Sequence, residues 1–275
     1  MNRTDNLCLS HAELRSIAAQ YNHENPSPNP IPTSAFKDKG ELIKQLNSRF
    51  AGKCPKNGDH CWIEQTTNAE LYNKLSRNFR PKKPKSWEKN EREWLSNYDI
   101  LHVMKQYEEA FPDFKFLGVF PIDFAEKDVC SLNNICGFNI KQLKEKKQTR
   151  FGVVLNLDKH NEPGSHWVSI FCNLDPASPQ YGICYFDSGG TQPHPMIKNF
   201  IKTVCDEVND PTRFVAKYNN TRKQFQNTEC GVFSSIFIAA CLKHAKKNYK
   251  SVRALIKSDR NDNQIHQFRD VLWRP

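Results

Sequence analysis

Gln224-Phe225-Gln226-Asn227-Thr228-Glu229-Cys230-Gly231-Val232-Phe233 joins a polar run to an apolar one, with Cys230 at the seam. From Val232 the apolar character continues through Phe233, Ile236, Phe237, Ile238, Ala239 and Ala240 to about Leu242. A helix apolar on nearly every face is buried on all sides. This reading puts Cys230 at the N-terminus of a buried helix. The helix dipole and the unpartnered N–H groups there favour negative charge. A thiol in such a place ionises more readily, and the thiolate is the nucleophilic form. A small buried thiol with no chemical task fits the same ten residues.

Outward from that stretch, composition sets the bounds. The chain has 275 residues, room for one or two domains with a sizeable core. Its surface is polar: 25% of residues are charged and the mean hydropathy is -0.72. A net charge of +10 permits a polyanionic or acidic partner without naming one. No apolar segment follows Met1, so no secretory signal is expected. No run reaches the roughly 18 apolar residues of a membrane span. The ten cysteines are scattered and read as mostly reduced thiols in a reducing compartment, not as a disulfide framework.

Ser10-His11-Ala12-Glu13 is a capping box that predicts a helix to about Tyr21. Pro26, Pro28, Pro30 and Pro32 force an extended loop. A helix is expected over Lys39–Phe50, and another from the capping box Thr67-Asn68-Ala69-Glu70 to about Phe79. The basic, proline-broken connector Arg80-Pro81-Lys82-Lys83-Pro84-Lys85 reads as a domain boundary. Residues 1–85 are therefore expected to form a mainly helical region. Residues 86–275 are expected to be a separate α+β domain. Within it, Asn97 reads as the N-cap of a helix carrying Ile100, Leu101, Met104 and Tyr107. Strand patterns occur at Phe114–Val119, Gly152–Leu157, His166–Cys172, Tyr181–Phe186 and Phe214–Tyr218. Lys141–Arg150 reads as a surface loop, and Asn263–Leu272 as a last helix.

His166 opens one strand and Asp187 closes the next, across a loop containing Pro176 and Pro179. An antiparallel pairing of Cys172 with Tyr181 sets His166 opposite Asp187. Directly opposed residues share a face, with Cβ atoms about 4.5–5.5 Å apart. A one-residue slip would separate them. Taken singly, His166 fits a surface position and Asp187 a turn former before Ser188-Gly189-Gly190. Together with Cys230 and a glutamine six residues before it, they supply every part of a thiol hydrolase. His166 would take the thiol proton and return it to the leaving amine. Asp187 would orient the imidazole. Gln224 and the backbone N–H of Cys230 would donate to the oxyanion. Gln226 offers a second amide, four residues from Cys230.

These residues resemble the adenovirus-type and SUMO-specific (Ulp-like) cysteine proteases. That family has a His-Trp pair at a strand, an Asp or Asn ending the next strand, and a Gln several residues before Cys-Gly. Here the matching residues are His166-Trp167, Asp187, Gln224 and Cys230-Gly231. Trp94-Leu95 with Ile100 resembles the opening of the SUMO-protease domain, and the likeness covers roughly residues 90–245. Further segments are similar to the polyprotein-processing proteases of large DNA viruses, such as that of African swine fever virus. They are Leu155-Asn156-Leu157-Asp158, Gly164-Ser165-His166-Trp167-Val168 and Thr228-Glu229-Cys230-Gly231, with Phe116-Leu117-Gly118 and Pro121-Ile122-Asp123-Phe124.

The resemblance implies a papain-like, adenain-like core: a central mixed sheet flanked by helices, with a helical N-terminal extension. It implies cleavage of structural polyproteins after Gly-Gly-type sites during virion maturation, in the virion and the host cytoplasm. It implies no cofactor. Trp167 and Trp94 match two tryptophans that sandwich a Gly-Gly tail; Trp94 also fits a core anchor at a helix start. Two other functions stay open: a deconjugating protease for SUMO or ubiquitin-like proteins, and a non-enzymatic nucleic-acid-binding protein on a decayed protease fold. DNA is a candidate partner through Lys74, Arg77, Arg80, Lys82, Lys83 and Lys85, although a solvated linker explains those charges too. Cys54, His60 and Cys61, with Cys130 and Cys136, invite a zinc reading, but the spacing is wrong for a zinc site and no metal is expected.

Overall fold

Alternation along the strands decides which side chains face which layer of helices. The structure, a computed structural model, describes residues 7–34, 38–126, 129, 135–256 and 262–275. The chain divides into two compact units, Met1–Arg80 and Pro81–Pro275.

The first unit is helical. α1 (His11–Glu24) starts at a capping box of Ser10 and Glu13. α2 (Lys39–Arg49), α3 (Asp59–Glu64) and α4 (Ala69–Ser76) follow. Leu14, Ile17, Leu42, Leu46, Trp62 and Leu75 fill their common core. At α4 the cap is Asn68, whose side chain accepts from the Leu71 N–H, and not Thr67 with Glu70 as the pattern suggested. Two expectations about cysteine also change. Cys54 and Cys61 are joined in a disulfide, with Cα atoms 5.7 Å apart. The tight turn at Pro55–Gly58, with Asn57 at φ 58°, brings the ends of this short stretch within bonding range. Cys136 is disulfide-bonded as well, and Cys130 lies outside the described residues. Among the described residues the reduced thiols are Cys8, Cys172, Cys184, Cys205, Cys230 and Cys241.

The second unit is built on a five-stranded sheet in the order β1-β2-β3-β4-β5. These are β1 (Phe114–Phe120), β2 (Arg150–Asn156), β3 (Trp167–Asn173), β4 (Gly182–Phe186) and β5 (Ala216–Tyr218). The outer pairs β1·β2 and β4·β5 are parallel, and the inner pairs are antiparallel. The sheet is therefore mixed, as the family resemblance implied. Phe151, Val153, Leu155, Val168, Ile170, Cys172, Ile183 and Tyr185 face one helical layer. That layer includes α6 (Ile140–Glu145) and α7 (Pro195–Val208). Val154, Trp167, Phe171, Cys184 and Phe186 face the other. There they meet α5 (Asn97–Ala110), α8 (Cys230–Lys243) and α9 (Tyr249–Leu255). Two short helices, α10 (Asp262–His266) and α11 (Arg269–Leu272), replace the single last helix expected.

Three further expectations give way. Ser96, not Asn97, caps α5, in a capping box with Asp99. Part of the expected loop 141–150 is α6, capped by Asn139. The hairpin register is also shifted by two residues. Cys172 pairs with Ile183 and Asn173 with Gly182, so the loop between the strands is 174–181, one residue further along the chain than the strand patterns implied. A shift of two preserves parity, so positions 166 and 187 stay on the same side of the sheet.

Candidate active site

α8 is buried along its whole length, from Cys230, Gly231, Val232 and Phe233 to Leu242. It packs across β3, and its first turn reaches the sheet end where His166 and Asp187 lie. Asp187 is 1% exposed. His166 Nε2 lies 2.6 Å from Asp187 Oδ1. The carboxylate is fully engaged: Gly189 N donates to Oδ1 at 2.7 Å, Thr191 N donates to Oδ2 at 3.0 Å, and the Thr191 hydroxyl donates to Oδ2. Burial raises the Asp187 pKa, but the bonds from His166 and Thr191 outweigh it and hold the carboxyl below its ordinary range. Asn219 clamps the backbone from behind, accepting from Asp187 N at 2.7 Å. Gly190, at φ 76°, lets the turn pass the Thr221–Arg222 backbone, which a Cβ would strike at 2.6 Å.

Cys230 acts on the same ring: its side chain and its charge both favour the imidazolium. Burial alone would lower the His166 pKa. The bond to Asp187 and the influence of Cys230 outweigh burial and push it up to about 9. Cys230 and Asp187 thus both act on the one imidazole, His166. The cysteine is 1% exposed. Gly231 beside it lets Leu95 and Trp167 pack closely: a Cβ there would meet Leu95 at 3.0 Å and Trp167 at 3.1 Å.

The two glutamines separate clearly. Gln224 is buried; its Oε1 accepts from the Ser188 hydroxyl at 2.6 Å, and its Nε2 donates to the Gln226 carbonyl at 2.6 Å. One N–H of that amide is left over. Gln226 is exposed, and its side-chain oxygen accepts from Arg92. Trp167 is largely buried, and its indole N–H donates to Leu95 O at 2.9 Å. Trp94 is 39% exposed, so it is no core anchor. Both indoles line one groove of about 430 Å³.

Sequence reasoning missed what holds the nucleophile's loop. Glu229, beside Cys230, is wholly buried and pairs with Arg269 Nε at 3.1 Å and His266 Nδ1 at 2.9 Å. Asp262 accepts from Phe225 N at 3.0 Å and Gln226 N at 2.6 Å. Arg269 also stacks on Trp87, 4.5 Å from the ring centroid. Nothing local in the sequence pairs Glu229 with Arg269, 40 positions on. Among the described residues no group of three or more His, Cys, Asp or Glu is placed to hold a metal ion. No helix among them is long and apolar enough to cross a membrane.

Comparison with known proteins agrees with this geometry. Residues 153–270 match the model of the Ulp1 protease family, C-terminal catalytic domain. A protein of Acanthamoeba polyphaga mimivirus named as a thiol protease is 31% identical over 99% of this chain and 91% of its own length. A cysteine protease of African swine fever virus is 31% identical over 45% of this chain and 44% of its own. The crystal structure of an African swine fever virus protease superposes with a TM-score of 0.63 at 21% identity, covering 87% of this chain and 93% of that one. The fold is shared, and both relatives are viral. The chain belongs to the Ulp1-type family of cysteine proteases.

Proposed function

We propose that this protease cuts structural polyproteins after Gly-Gly-type sites during virion maturation, with Cys230 as nucleophile. The observation that carries the reading is His166, held by the buried Asp187 at 2.6 Å and acted on by the side chain and charge of Cys230. His166 takes the thiol proton, and the sulfur attacks the scissile carbonyl. The oxyanion faces the remaining N–H of Gln224 and the N–H of Cys230, which opens α8 and has no partner within the helix. His166 then protonates the leaving amine, and water hydrolyses the thioester. Asp187 holds the ring in the tautomer this needs. Ser188 supports Gln224 in the donor role, since it fixes the amide from a residue adjacent to Asp187. Gln226, turned toward Arg92, lacks such support.

Glycine specificity follows from shape. With Trp94 and Trp167 on one groove and the sulfur nearly covered, residues without side chains reach Cys230 most easily. An African swine fever virus relative is named a SUMO-1 cysteine protease, which favours deconjugation of a ubiquitin-like protein as a second reading. Precursor proteins and Gly-Gly-Xaa peptides, incubated beside SUMO and ubiquitin conjugates and read by mass spectrometry, separate the two. Wild type cutting after Gly-Gly in the precursors, and Cys230→Ala cutting nothing, is the expected result. Cutting confined to conjugates would overturn the polyprotein reading. The proposal includes duplex DNA as an auxiliary partner of the basic connector, where Lys83 is already paired with Asp270.

A further inference from the structure

The groove beside Cys230 contains a second imidazole held by a buried carboxylate. Asp123 follows the end of β1 and is completely buried. His160 binds it twice: its backbone N–H donates to Oδ1 at 3.0 Å, and its ring Nδ1 lies 2.6 Å from Oδ2. Burial raises the Asp123 pKa, but the two bonds from His160 prevail and lower it. Burying an ionised carboxylate costs several kcal/mol unless it is paired. A loop needing only shape could have used a neutral residue here. What the pairing achieves is direction. With Nδ1 tied to Asp123, the Nε2 edge is turned away from it. The side chain of His160 is 49% exposed, and Nε2 has no partner among the described residues.

That edge lies on the same groove as the two tryptophans. Leu95 and Trp167 form the end next to Gly231, Val119 and Pro121 line its side, and residues 158–164 form the far wall. No cysteine lines it, and its Ser96 hydroxyl is spent on Asp99 at 2.7 Å. The second His–Asp pair therefore faces no nucleophile and serves binding. The carboxylates of the far wall are engaged: Asp158 by the Ser165 hydroxyl, and Glu162 by the Lys159 N–H at 2.8 Å. Lys159 and His160 are left to offer nitrogen to an incoming chain.

We infer that His160, aimed by Asp123, reads an acidic side chain on the substrate, N-terminal of the cleaved bond. A peptide leaving the Trp94–Trp167 end in extended form advances about 3.3 Å per residue. The acid then belongs upstream of the Gly-Gly pair, at one of the next few positions. When it binds, the ring lies between two carboxylates, one from the protein and one from the substrate. This rests on the proposed cleavage at Cys230.

The test is a set of fluorogenic Gly-Gly peptides differing only in Glu or Gln at each of those positions, assayed on wild type, His160→Gln and Asp123→Asn. Wild type should favour Glu about tenfold in kcat/KM at one position, the scale of a hydrogen bond to a charged group. In His160→Gln the ratio should fall to about one, and in Asp123→Asn it should fall too. The ratio is internal to each enzyme, so partial unfolding does not mimic the effect, and His160→Gln decides alone should Asp123→Asn fail to fold. Equal cutting of Glu and Gln peptides by wild type, or an undiminished ratio in His160→Gln, overturns the acid subsite and leaves the catalytic reading intact. Cutting of neither series by wild type, or cutting retained by Cys230→Ala, overturns the catalytic reading and the subsite with it.

Discussion

His166 sits between two groups that favour its charged form, and the consequences can be worked out with their signs. Its pKa, pushed up to about 9, lies above the ordinary value of 6.5. The raised value stabilises the fold fully below about pH 6.5, and that contribution disappears as pH climbs through about 9. Asp187 works in the other direction: its depressed pKa stabilises the fold above the ordinary carboxyl range and is lost on acidification. If the Cys230–His166 pair does the chemistry, kcat/KM should hold into the alkaline range and fall near pH 9. In Asp187→Asn that alkaline limb should move to lower pH, because a main support of the imidazolium is gone. Activity should drop but survive, since an amide can still orient the ring; a pH–rate profile of the two proteins checks both points. Cys230→Ala should abolish cleavage while leaving thermal unfolding nearly unchanged, since little volume is removed.

At the scale of elements, α8 carries the core and the proposed nucleophile, Cys230, together. Phe237 is fully buried and stacks on Phe186 with ring centroids 4.7 Å apart. Phe237→Ala should cost about 3–5 kcal/mol in chemical denaturation. The end of α8 depends on the C-terminal helices through Glu229. Arg269→Met leaves that carboxylate buried with His266 Nδ1 as its remaining ion-pair partner, and removing one partner of a buried pair costs about 3–5 kcal/mol. Denaturant midpoints measure both; an Arg269→Met protein as stable as wild type would remove the anchoring role. These elements were unequally legible. α8 was plain because ten consecutive residues leave no polar face. The His166–Asp187 meeting was legible through parity, which a two-residue register shift does not disturb. α7 escaped notice although its signals are local: Pro195 in the first turn after His194, and Ile197, Ile201 and Val204 on one face. The clamp of Glu229 by Arg269 was not legible, because nothing local in a sequence pairs residues 40 positions apart.

For the whole molecule, charge and connectivity matter most. A net charge of +10 should give salt-sensitive affinity for duplex DNA, with log Kd rising linearly against log salt. Fluorescence anisotropy across a salt series measures it, and no affinity at low salt would dispose of the DNA contact. The disulfide between Cys54 and Cys61 shows where composition misleads at this scale: scattered cysteines look alike until a turn brings two together. The proposed triad is also a property of the whole fold, since its three residues come from the start of β3, the end of β4 and the start of α8. Competitive alkylation tests it most directly. Cys8 is exposed and Cys230 is 1% exposed, so accessibility favours Cys8 and the catalytic geometry favours Cys230. Treated with limiting iodoacetamide near neutral pH and mapped by mass spectrometry, wild type should carry the label first on Cys230, and His166→Ala should lose that preference. Labelling of Cys8 ahead of Cys230, or a preference for Cys230 that survives His166→Ala, would contradict the account.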